Sequence, residues 1–171
     1  MEHRDGRRIG RAHHNDGRLT HTSGHVPRDL DPGSSNLLIL PGAEFWDAGG
    51  GQLFANIAFR FLSAGVPVAA ICGATAGLAR AGLLDNRHHT SAAAEYLMAT
   101  GYTGGDYYVT ERAVVAGDLI TAGPQSPVQF ARATLKCLGL ASEQTLEAYE
   151  AVFSRADPTG FPILMQAQPA A

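Results

Sequence analysis

Cys72 is the residue in this 171-residue chain most suited to covalent chemistry. It follows the apolar run Val68-Ala69-Ala70-Ile71 and precedes Gly73-Ala74-Thr75-Ala76-Gly77, so a strand ends and a helix begins within a few residues. A nucleophile at such a junction sits on a tight, strained turn that needs small neighbours. Ala70 lies two before it, Gly73 directly after and Ala74 two after. The start of the following helix offers unpaired N–H groups and a positive dipole end, which favour an anionic sulfur. A free cysteine is also among the most buried residue types, and the local pattern leaves nucleophile and inert core thiol both open. Cys137, beside Leu138 on a helical stripe, reads as packing.

The other residues able to do chemistry have plainer readings. His88 and His89 fall in a loop before a helix, where a surface or capping role competes with that of a base. Asp85, Asp106 and Glu111 read as solvated loop charges, while Glu44, Phe45 and Trp46 could line a pocket mouth or cover a loop. His13, His14, His21 and His25 lack the fixed spacing of a metal site, so no metal is expected, and nothing calls for a cofactor.

The elements that must position Cys72 alternate. Leu37-Leu38-Ile39-Leu40, ended by Pro41-Gly42, and residues 66–71 are continuous apolar runs, as in parallel strands buried on both faces. Between them Leu53, Ile57 and Phe61 recur four apart, which predicts a helix over 50–64 closed by Gly65; Phe54, Phe59 and Phe61 read as core. Helices are predicted over 75–81, over 91–100 with Ser91 as N-cap, from Pro127 with Ser126 as cap, and over 142–154. A hairpin is predicted from 107–115 and 119–122 around Ala116-Gly117-Asp118. Strands alternating with helices in this way argue for a parallel sheet covered on both faces.

Composition sets the outer bounds. The chain is 45% hydrophobic and 17% charged with a net charge of −3, which offers no footprint for nucleic acid or an anionic membrane. Residues 61–79 carry no charge, but Gly65, Pro67, Gly73 and Gly77 break the run, so it is not read as a membrane helix. Two cysteines and no apolar leader after Met1 suggest a cytoplasmic protein with free thiols. Residues 1–35 hold five of the seven histidines and six of the twelve arginines with few apolar residues, and are expected to be mobile. Residues 36–156 should form the domain, and 157–171 a loosely held tail.

Four stretches resemble the DJ-1/PfpI family, within the class I glutamine-amidotransferase-like superfamily, in order and spacing. They are Leu37-Leu38-Ile39-Leu40-Pro41-Gly42-Ala43, Val68-Ala69-Ala70-Ile71-Cys72-Gly73-Ala74-Thr75, residues 81–87 with His89-Thr90-Ser91, and Gly117-Asp118-Leu119-Ile120-Thr121-Ala122 with Pro127-Val128-Gln129-Phe130-Ala131. The similarity is greatest to the bacterial branch described as type 1 glutamine amidotransferase-like. The resemblance implies a flavodoxin-like three-layer α/β/α sandwich with a mainly parallel sheet, here N-terminally incomplete, and a homodimer. It implies Cys72 as the reactive residue, Gly42, Ala43 and Gly73 as an oxyanion pocket, and His89 at the position of a histidine common in that branch.

Three departures bear on that expectation. The family's opening strand–helix–strand, which brings a glutamate beside the cysteine, has no counterpart before Leu37. No histidine follows Cys72 or stands near Asp106, and Ala43 replaces a frequent glycine. The expected function is therefore cysteine-dependent chemistry on a small carbonyl or amide substrate, of hydrolase, amidotransferase-like or glyoxalase-like type. The alternative is a redox-sensing or ligand-binding module, or an inactive remnant.

Overall fold

The computed structural model describes residues 30–167, together with the backbone of a two-stranded antiparallel ladder formed by β1 (His13–Asn15) and β2 (Leu19–His21). The expected mobility of residues 1–35 concerns positions that, apart from this ladder and residues 30–35, lie outside the described residues. Residues 30–35 hold a short turn in which the Asp31 carboxylate accepts from Gly33 N–H, and the Leu30 carbonyl accepts from Arg60 at 3.1 Å.

The chain forms a four-stranded open sheet in the order β3 (Leu38–Leu40), β4 (Val68–Ile71), β6 (Leu119–Ala122), β5 (Ala113–Ala116). The first three are parallel, with Leu38 beside Val68 and Val68 beside Leu119. β5 pairs antiparallel with β6 through a two-residue connection that includes Gly117 at φ 66°. Strand residues alternate between faces. Leu38, Leu40, Val68, Ala70 and Leu119 share one apolar core with Ile57, Ala58 and Phe61 of α2 (Gln52–Ser63) and with α3 (Gly73–Arg80). Ala69, Ile120 and Ala122 are buried on the other face, where α5 (Pro127–Cys137) packs on β4, β5 and β6.

α3 is unusual in being buried on every side from Gly73 to Ala79. Its small residues let other elements approach closely. α1 (Glu44–Asp47) lies against it, and α4 (Ala94–Met98) flanks it. α6 (Glu143–Arg155) packs on α5, where the Arg132 guanidinium reaches Glu143, Glu147 and Glu150. Where a loose end from Asp157 was expected, a short turn over Pro158–Gly160 and α7 (Phe161–Gln166) pack against α6, with Gly160 tight against the Ala148 carbonyl.

Other departures from the sequence-based expectations are local. α4 is shorter than predicted and starts after Ala93, because the Ser91 hydroxyl pairs with Thr75 Oγ1 at 2.7 Å instead of capping the helix. The 107–115 strand shrinks to β5, because Tyr107 closes a short turn and Tyr108 makes only an isolated bridge to His89. Ser126 stands at the N-cap position of α5 but makes no capping bond, and its buried hydroxyl has no partner among the described residues. Phe61 is core, whereas Phe59 points outward.

Candidate active site

β3, β4 and β6 all end on the same side of the sheet, the edge where open α/β sheets bind ligands. Cys72 stands at the end of β4 and caps the start of α3. Its backbone has φ 60° and ψ −132°, a region that residues other than glycine rarely occupy. Cys72 N–H donates to the Ala122 carbonyl at 3.0 Å, and its own carbonyl accepts from Thr75 N–H at 3.0 Å and Thr75 Oγ1 at 2.7 Å. The Thr75 hydroxyl in turn pairs with Ser91. The strained turn is thus held by backbone and by a buried hydroxyl chain, and the half-buried thiol takes no part in holding it.

The end of β3 comes directly against the sulfur. A Cβ on Gly42 would lie 2.6 Å from Cys72 Cβ and 3.0 Å from its Sγ, so only glycine permits this approach. The N–H groups of Gly42, Ala43 and Gly73 have no acceptor among the described residues. Ala43 is extended at φ −160° and ψ 152°, so its Cβ causes no strain.

Trp46 fixes this arrangement from behind. It is buried, its indole N–H donates to the Pro41 carbonyl at 3.0 Å, and its ring lies against Gly77 and Gly51. Of the two sequence readings, Trp46 takes the covering role, and Phe45 stacks on it with a ring separation of 4.6 Å. Arg80 clamps the same segment by donating to the Trp46 carbonyl at 2.6 Å.

His89 is placed differently from the other candidates. It is fully buried, between the rings of Tyr102 and Tyr108. Its Nδ1 faces the Arg87 carbonyl at 2.8 Å, so it carries a proton there, and Nε2 accepts from the Tyr102 hydroxyl at 3.1 Å. Burial is the main influence and pushes its pKa down; the Arg87 carbonyl opposes this, His88 adds to it and Asp85 opposes it. Neither ring nitrogen bonds to Cys72. His88 stacks edge-on against Tyr107, and Asp85 accepts from Thr103 N–H at 3.1 Å. Among the described residues no group of three or more His, Cys, Asp and Glu could hold a metal ion, and no helix is long and apolar enough to cross a membrane.

Sequence reasoning missed one pair. The Tyr96 hydroxyl of α4 donates to the Asp47 carboxylate of α1. Residues 49 positions apart give no local pattern by which to find them.

Residues 11–137 match the model of the DJ-1/PfpI family. The chain belongs to that family. It is 37% identical over 119 residues to a Bacillus subtilis protein named uncharacterized protease YoaZ, which aligns over 68% of this chain and 57% of the relative. A second protein from the same organism, uncharacterized protease YdeA, is 32% identical over 69% of this chain and 60% of its own. This family member therefore spans less than two thirds of the length of either curated relative. Among solved structures, a ThiJ/PfpI family protein from Bacillus anthracis superposes with a TM-score of 0.80 at 33% identity, covering 88% of this chain and 72% of that one. A DJ-1 superfamily protein from Agrobacterium tumefaciens gives 0.70 at 32% identity, over 79% of this chain and 74% of that one.

Proposed function

We propose that the chain is a cysteine-dependent enzyme acting on a small carbonyl or amide substrate. The observation that carries this reading is the left-handed backbone of Cys72 at the head of α3, where the parallel strands end. In it the Cys72 sulfur attacks the electrophilic carbon, a C–S bond forms, and the carbonyl π pair moves onto oxygen. That oxygen is received by the N–H groups of Gly42, Ala43 and Gly73. Each donor aimed at a developing oxyanion lowers the barrier by about 3 kcal/mol. The protease names of the two relatives support a hydrolase-like reading. The test is alkylation by iodoacetamide at neutral pH, followed by turnover of a panel of small aldehydes and amides. Cys72 should alkylate faster than Cys137, and Cys72→Ser should remove turnover. Equal labelling of the two thiols overturns the reading.

A second reading, a redox-sensing thiol, is favoured by His89 being buried with both ring nitrogens engaged. Peroxide would oxidise the thiol to sulfenic acid with release of water. Sulfenic acid at Cys72 after mild peroxide, without turnover of any substrate in the panel, would support it. Turnover that Cys72→Ser abolishes would exclude it.

A further inference from the structure

The backbone of Cys72 has two soft dihedrals, φ at 60° and ψ at −132°, and each is pinned from one side. The N–H is held by the Ala122 carbonyl of β6 at 3.0 Å. The carbonyl is held by Thr75, through its N–H at 3.0 Å and its Oγ1 at 2.7 Å. The Thr75 hydroxyl has one proton and gives it to Cys72, so in the 2.7 Å contact between Thr75 and Ser91 the serine donates. The chain of hydroxyls therefore runs one way, from Ser91 through Thr75 to Cys72. Ser91 is itself firmly seated. It is buried, and its carbonyl lies against Gly123, where a Cβ would stand 2.7 Å from the oxygen. The neighbouring Thr90 donates its N–H to Thr121 Oγ1 of β6 at 3.0 Å and its hydroxyl to the Glu111 carbonyl at 2.9 Å.

Stability alone does not account for this arrangement. Two buried hydroxyls that bond to each other gain little over an apolar pair of the same shape. What they add is direction. With Ser91 donating to it, the Thr75 hydroxyl turns its own proton to the Cys72 carbonyl, and a held carbonyl fixes ψ. We propose that Thr75 and Ser91 are positioning residues for Cys72, Thr75 by holding its carbonyl and Ser91 by aiming the Thr75 hydroxyl; this deepens the nucleophile reading above and rests on it. Both act on the backbone of Cys72, and neither hydroxyl bonds to its sulfur. Without the clamp the turn relaxes from its strained region. The sulfur then leaves its place beside Gly42, where a Cβ would stand 3.0 Å from it, and with it the unpaired N–H groups of Gly42, Ala43 and Gly73.

The test uses the full chain and iodoacetamide at neutral pH, so no natural substrate is needed. In this reaction the S–C bond forms as iodide leaves, and the thiol proton passes to the buffer. Thr75→Val keeps the shape and removes the hydroxyl. It is expected to slow Cys72 alkylation by about tenfold, and Ser91→Ala by about threefold, both less than the roughly hundredfold that misplacement by an ångström can cost an enzymatic reaction. Thr75→Ser keeps the hydroxyl and should keep the parent rate. The double variant should be no slower than Thr75→Val, because Ser91 acts only through Thr75. Cys137 is the internal control and should not change. An unchanged or faster Cys72 in Thr75→Val or Ser91→Ala overturns the proposal. So does a Thr75→Ser as slow as Thr75→Val, a double variant slowed by the product of the two single effects, or a slowing that Cys137 shares equally. If Thr75→Val does not fold, Ser91→Ala decides by the same rates. Each of these outcomes leaves the nucleophile reading intact so long as the parent Cys72 outruns Cys137. A parent Cys72 no faster than Cys137 overturns both.

Discussion

The ring of Trp46 occupies the space that a side chain on Gly77 would need. A Cβ there would stand 2.3 Å from two of the indole carbons. The same ring donates to the Pro41 carbonyl, so the position of α3 and the end of β3 are set by one side chain. Gly77→Ala forces the indole away from both. Overpacking of this kind costs about 1–3 kcal/mol. A urea melt should show that loss. Cys72 should also alkylate at a changed rate, because Gly42 moves with Pro41. An unchanged melting midpoint would mean that the ring shifts without resistance.

Cys72 holds a conformation suited to glycine. Relieving such a residue recovers about 1–3 kcal/mol, less the extra chain entropy that glycine loses on folding, which is roughly 1 kcal/mol. Cys72→Gly should therefore fold more stably than the parent by about 1 kcal/mol while losing all reaction at this position. Cys72→Ser keeps the strained backbone and should show no such gain. Equilibrium unfolding of the three proteins side by side measures both effects, and a destabilised glycine variant would contradict the account.

The burial of His89 makes stability depend on pH. Its pKa in the fold lies below the ordinary value of about 6.5, so the unfolded chain binds a proton more readily than the folded one. The neutral ring accepts from Tyr102 at Nε2, and protonation there sets two donors against each other. Stability should be complete above about pH 6.5 and should fall as pH drops through the lowered value. Thermal melts between about pH 7.5 and 5 should show this slope in the parent and a shallower one in His89→Gln. Identical slopes would assign the acid sensitivity to other groups.

The parts legible in the sequence were those with short-range causes. β3 and β4 announce themselves as continuous apolar runs, and the elbow follows from small residues on both sides of Cys72. Gly65, Gly82, Gly101 and Gly117 all take positive φ, as turn and helix-end glycines do. What stayed hidden depends on partners far along the chain. Ser91 reads as a cap until Thr75 claims its hydroxyl from 16 residues away. His89 reads as a loop histidine until Tyr102 and Tyr108 enclose it. Ser126 occupies the predicted position yet makes no capping bond, and its hydroxyl has no partner among the described residues, which no local pattern encodes. Tyr96 and Asp47 meet only because α1 and α4 both lean on α3.

The strained backbone at Cys72 also bears on how such a sequence ages. A cysteine codon becomes a glycine codon by a single base change. At this position that change relaxes the fold and costs it no contact that holds the turn, because backbone and Thr75 do that work. Selection for folding alone thus pulls the elbow towards glycine. A lineage that no longer used the thiol would lose it quickly and at no cost to stability, so the identity of this one residue in any sister sequence serves as a gauge of whether the thiol is still in use.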